Sequence, residues 1–134
     1  MSTHISAVNQ KLVFARQLLR MCNAGGSTVT SHQIAATAQS MAMQLHQAWL
    51  WHCRYIAEGY KSPDLESVTD GDSLVALLAK QGKCPGEATE LQALQHDPGS
   101  WLSELLRAHQ NIYLLPVVRK AEMDADRLPM ISLD

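Results

Sequence analysis

The run from Thr30 to Tyr60 contains no proline, no glycine before Gly59 and no acidic residue before Glu58. Within it Ile34, Ala38, Met41, Leu45, Ala48, His52 and Tyr55 recur in alternating steps of four and three, which places them on one face of a helix. A strand would need apolar residues at every second position. At 1.5 Å rise per residue the run spans roughly 45 Å, longer than the average globular helix, so a surface of similar length has to cover it.

The preceding residues supply a candidate for that surface. Ile5, Val8, Leu12, Ala15, Leu19 and Cys22 repeat the same spacing, with Phe14, Leu18 and Met21 widening the stripe, and predict a first helix from about Thr3 or Ser6 to Asn23. Gly25 and Gly26, followed by Ser27 and Thr28, suit a helix stop with glycine in a left-handed conformation. Thr30 with Gln33 three positions on is a capping-box pattern that opens the second helix. Two long helices with a short joint make an antiparallel hairpin.

Beyond Gly59 and Pro63 the elements shorten. Asp70 and Asp72 are capping candidates ahead of Leu74, Val75, Leu77 and Leu78, and Gly82 closes that third helix near Lys80 and Lys83. A fourth helix is predicted over 87–95, with Leu91 and Leu94 inward. Asp97-Pro98 reads as a cap and first-turn proline opening a fifth, one face of which would carry Trp101, Leu105, Ala108, Ile112 and Leu115, with Leu102 and Leu106 beside them. Pro116 ends or kinks that helix, and the largely charged stretch that follows makes 119–134 a loose tail. With 134 residues, 46% of them hydrophobic, the chain is sized for one domain, 1–134, and its apolar runs are far too short to span a bilayer. Residues 1–6 lack the features of a secretory signal, so a soluble, cytoplasmic protein is expected.

The net charge of −2 hides an uneven distribution. Residues 1–57 hold Lys11, Arg16, Arg20 and Arg54 and no acidic residue, giving +4, whereas 58–134 hold seven basic and thirteen acidic residues, giving −6. Four cations over 57 positions make no dense patch, which argues against nucleic-acid binding. Complementary halves packed within a bundle or across a dimer account for the pattern better. Cys22, Cys53 and Cys84 show no Cys-x-x-Cys spacing and are expected to be reduced, the first two buried and Cys84 in a loop.

Motifs for chemistry are missing: there is no phosphate-binding Gly-x-x-x-x-Gly-Lys, no Gly-x-Ser-x-Gly, no His-Glu-x-x-His and no Glu-x-x-His. No metal site, cofactor or catalytic residue is therefore expected, and His52 and His109 are the only plausible general bases if the chain were an enzyme. His52, inside the apolar stripe, reads as a neutral core histidine. Two surfaces remain for function. Trp51 lies on the polar face of the second helix with Gln47, Arg54 and Glu58, an aromatic-plus-arginine grouping of the kind enriched in interfaces, so these four form a candidate interface. Met41, Trp49, His52, Tyr55 and Trp101 form a candidate inter-helix pocket for a small molecule.

The segment from Leu45 to Tyr60, with Ala48, the tryptophans Trp49 and Trp51, Arg54, Tyr55 and the ending Ile56-Ala57-Glu58-Gly59-Tyr60, resembles the second helix of small uncharacterised bacterial helical proteins without assigned activity. The resemblance implies an all-helical fold and a bacterial cytosolic setting, and carries no catalytic residues. The combined expectation is an all-α, antiparallel bundle of four to five helices built on the N-terminal hairpin. It would act as a non-catalytic interaction or assembly protein, a homo-oligomer or the partner of another protein, with the small-molecule binder as the alternative.

Overall fold

The computed structural model describes residues 2–115, and within them the chain is all helical. Helix α1 spans Thr3–Gly25 and α2 Ser31–Gly59, α3 covers Gly71–Lys80, α4 Gly86–His96 and α5 Trp101–Ile112. Short 3₁₀ turns at Gly26–Thr28 and Leu65–Ser67 carry two of the connections. Pro116 and the stretch 119–134 lie outside the described residues.

Local chemistry explains the boundaries. Ser2 Oγ accepts from the His4 N–H at the start of α1. Gly26 ends that helix at φ 55°, ψ −130°, a region a side chain strains to enter. At α2 the capping box forms as expected: Thr30 Oγ1 accepts from the Gln33 N–H at 3.1 Å, and Gln33 Oε1 accepts from the Thr30 N–H at 2.8 Å. Asp70 caps α3 in the same reciprocal way with Ser73. The start of α5 differs from expectation. Asp97 terminates α4, Pro98 and Gly99 turn the chain, and Ser100 is the cap, its Oγ accepting from the Ser103 N–H and donating to the Leu94 carbonyl. A hydroxyl able to bond both helices outcompetes the aspartate for that position.

α1 and α2 form the antiparallel hairpin: Ser2 and His4 meet Glu58 at one end, and Cys22 and Gly25 share a cleft with Gln33 and Thr37 at the other. The filled core lies along only the C-terminal half of α2. There Trp49, Cys53, Ile56 and Ala57 pack with Val68, Leu74, Leu77, Leu78, Ala88 and Leu102. Leu74, Leu78 and Leu102 are wholly buried, each contributing about 2 kcal/mol by removal of apolar surface from water. α5 runs back along α2: Leu102 joins the core beside Cys53, and His109, seven residues later, stacks on His46, seven residues before Cys53. α3, α4 and α5 thus form a clamp around one end of α2, and α1 packs chiefly on α2 alone.

The buried faces are rotated from the expected ones. On α1 the covered line is His4, Val8, Lys11, Ala15, Leu18 and Cys22, while Leu12 and Leu19 are 41% and 46% exposed. On α5 Leu102, not Trp101, enters the core; Trp101 is 63% exposed and Leu115 lies on the surface. On α2 the stripe from Ile34 to Tyr55 is not the hairpin seam. Ile34 is 53% exposed and Tyr55 37%, with Met41, Leu45 and His52 only half-buried.

Candidate interaction surface

The seam of α2 against α1 is the polar face. Gln33 and Thr37 contact the end of α1, Trp51 and Glu58 contact its start, and Ser40, Gln44 and Gln47 fall on the same line between them. Gln44 Oε1 is buried there with no partner among the described residues, an unmade bond that takes stability from this end of the hairpin.

Of the four candidate interface residues, Trp51, Arg54 and Glu58 have partners within the chain, and all four are half-buried. The His4 ring sits 5.8 Å from Trp51, and the Arg54 guanidinium lies over the Trp51 ring at 5.3 Å. Arg54 Nε donates to the Val68 carbonyl at 2.9 Å and Nη2 to the Glu66 carbonyl at 3.2 Å, tying the loop after α2 to the helix. Ser2 Oγ donates to Glu58 Oε1, and His4 Nδ1 lies 3.0 Å from Oε2; these bonds hold the Glu58 carboxyl below its usual range. Gln47, half-buried, completes this face. Trp51 thus meets α1 through His4, whereas Arg54 meets the loop after α2.

Of the five pocket candidates, His52 and Tyr55 lie together, their ring centroids 6.4 Å apart. Trp49 is 5% exposed within the core, whereas Trp101 is open to solvent at the start of α5. Tyr55 lines an open cleft with Ile56, Glu58, Gly59, Tyr60 and Glu87. Met41 and His52 remain half-buried on the side of α2. Burial depresses the His52 pKa, opposed by Glu87. Across the α2–α5 contact the His46 and His109 rings stack at 3.6 Å with 3° between planes, and burial followed by His109 lowers the His46 pKa. Among the described residues no three histidine, cysteine or acidic side chains are grouped to hold a metal ion.

What sequence reasoning missed is the flank of the hairpin. The cleft at its bend unites Met21 and Gly25 of α1 with Ala36 of α2, so those positions share one side. At 3.6 residues per turn Leu12 and Leu19 fall on the opposite side of α1, and Ile34, Met41 and Leu45 on the matching side of α2. Clefts elsewhere join polar residues such as Glu104, Arg107 and Asn111. Leu12, Leu19 and Ile34 are exposed on this flank, while Phe14, Met21 and Met43 are exposed elsewhere on the hairpin. The signal for this exposure was present in the width of the α1 stripe, since one partner helix cannot cover so broad an arc.

Residues 1–134 match a family of unknown function (DUF6586) from end to end. The chain belongs to this family. No curated protein and no solved structure matches it. Among the described residues no helix is long and apolar enough to cross a membrane.

Proposed function

We propose that this member of the family is a non-catalytic interaction module that docks a protein partner on the exposed flank of its N-terminal hairpin. The supporting observation is the exposure of Leu12 and Leu19 on α1 and Ile34 on the same side of α2, together with Val13, Phe14, Met21 and Met43 elsewhere on the hairpin. Scattered exposed apolar residues are ordinary, but a contiguous two-helix face rimmed by polar groups marks an interaction site. The three thiols are free, with Cys84 exposed, which supports a reducing, cytoplasmic setting.

A photo-crosslinking residue placed at Leu19 of the full chain, in the cells that produce it, tests this reading. Adducts heavier than the 14.8 kDa monomer are expected from Leu19 and not from Gln17 on the back of α1. A chain that yields no adduct from Leu19, or equal adducts from both positions, refutes it.

A further inference from the structure

We infer that the face-to-face pair of His46 and His109 is an acid-operated latch, which holds the end of α5 on α2 at neutral pH and releases it when both rings take up a proton. The geometry carries the inference. The two imidazoles are parallel, with 3° between their planes and centroids 3.6 Å apart, and the Tyr113 ring meets His109 edge-on at 5.2 Å. Neutral rings, or one neutral and one charged, stack favourably at this separation, whereas two imidazoliums face to face set like charges in contact. The core holds α5 through Leu102, with Leu105 and Leu106 packed against it. His109 lies about one turn farther on, so the pair secures the stretch of α5 that the core does not reach.

The surrounding elements do not offset a second charge on the pair. α2 carries no acidic residue before Glu58, and its nearest cation, Arg54, is bonded to the carbonyls of Glu66 and Val68. On α5, Glu104 and Arg107 line a cleft with Ala108 and Asn111, on the side away from His109. From α4, His96 is bonded to Asp72 and shares a cleft with Arg107 and Gln110. From α1, Lys11 lies on the seam side of α2, over the Phe14 ring. Asp70, ahead of α3, acts on Cys53, seven residues from His46. Burial and then the His109 ring lower the proton affinity of His46. The released ring regains its ordinary value of 6.5, so the opening equilibrium grows as pH falls below 6.5, by up to about tenfold at pH 5.5. Opening bares His46 and the turn of α2 beside it, a surface separate from the hairpin flank.

Hydrogen exchange of the purified full chain at pH 7.5 and 5.5, read by mass spectrometry and corrected for the intrinsic rate at each pH, tests the latch. Protection over 107–113 should drop by up to about tenfold at the lower pH while that over 74–78, in the core, holds. His109→Phe and His46→Phe each keep a ring in the stack and remove the charge, so either should abolish the response. His52→Gln should leave it intact. A readout that needs no variant is the ring-proton titration of the two histidines by nuclear magnetic resonance, in which each should register the other's protonation step. A change over 107–113 below about twofold overturns the inference, as does a response that survives both phenylalanine variants or disappears in His52→Gln. Equal loss over 74–78 would make the effect global unfolding, and two independent titrations would show that the rings do not touch; both overturn it. None of these outcomes bears on the crosslinking expected at Leu19.

Discussion

Replacing Gly71 by alanine sets two effects of opposite sign against each other, and the geometry decides which wins. Gly71 is the first residue of α3, where alanine ordinarily stabilises by about 0.4–1 kcal/mol through the unfolded chain. Here the N-terminus of α3 presses against α4. A methyl group on Gly71 would sit 2.8 Å from Gln95 Oε1, 3.1 Å from the Gln92 Cα and 3.2 Å from the Gln92 nitrogen. The Gln95 side chain can swing away, but the Gln92 backbone cannot without moving α4. Swinging Gln95 also breaks the bond its Oε1 accepts from the Gly71 N–H at 2.7 Å and those its amide donates to Asp70 and Asp72. Overpacking of this kind costs about 1–3 kcal/mol and a lost bond about 1 kcal/mol more, so the net change is a destabilisation of about 2 kcal/mol. For a chain of this size that lowers the melting temperature by roughly 5–10 °C. Urea unfolding followed by circular dichroism measures it, with Gly86→Ala as the comparator: Gly86 opens α4 with nothing within 4 Å of a methyl group, and alanine there should be neutral or mildly stabilising. Equal stability of the two variants would show that α3 and α4 do not approach each other as described.

Native thiol titration should find Cys84 reacting fast, the half-buried Cys22 slowly, and Cys53 only on unfolding. Burial, assisted by Asp70, pushes the Cys53 thiol up to about 12, and a fast second thiol at that site would contradict its place in the core. Stability should fall as pH drops below 6.5. The lowered His46 value means the folded chain binds fewer protons than the unfolded one between its depressed pKa and 6.5, so the stability present above 6.5 is lost as pH falls through that window. Urea midpoints at pH 7.5 and 5.5 measure the loss, which should shrink in His46→Gln and persist in part because His52 acts with the same sign; an undiminished loss in the variant would sever it from the stacked pair.

The elements of this fold were legible because their signals are local. Thr30 with Gln33, Asp70 ahead of Leu74, and the glycines at 25 and 26 each act within one turn of the chain, and each does in the structure what its neighbours dictate. Facing directions were not legible, because they depend on partners distant in sequence. Periodicity identified α2 as a helix with an apolar stripe, yet α2 is packed on several sides, and the line carrying Ser40, Gln44 and Trp51 is the one α1 covers. Polar residues on that line looked like a solvent face because nothing in the local sequence says that Ser2, His4 and Glu58 will meet across 54 or more positions. The candidate site inherited this rotation: Trp51 and Arg54 are half-buried against partners within the chain, and the stripe is left partly exposed, at Ile34 and Tyr55 most of all.

The placement of the core has a mechanical consequence. The clamp grips α2 from about His46 onward, so the far tip of the hairpin is held by α1 and α2 alone and should open on its own, before the remainder melts. Amide protons near Cys22 and Ile34 would then exchange with solvent through a fraying event that leaves Leu74, Leu78 and Leu102 enclosed. Whatever grips the tip supplies the rigidity that an isolated molecule lacks there, and losing that grip exposes the bend to proteases while the opposite end stays folded.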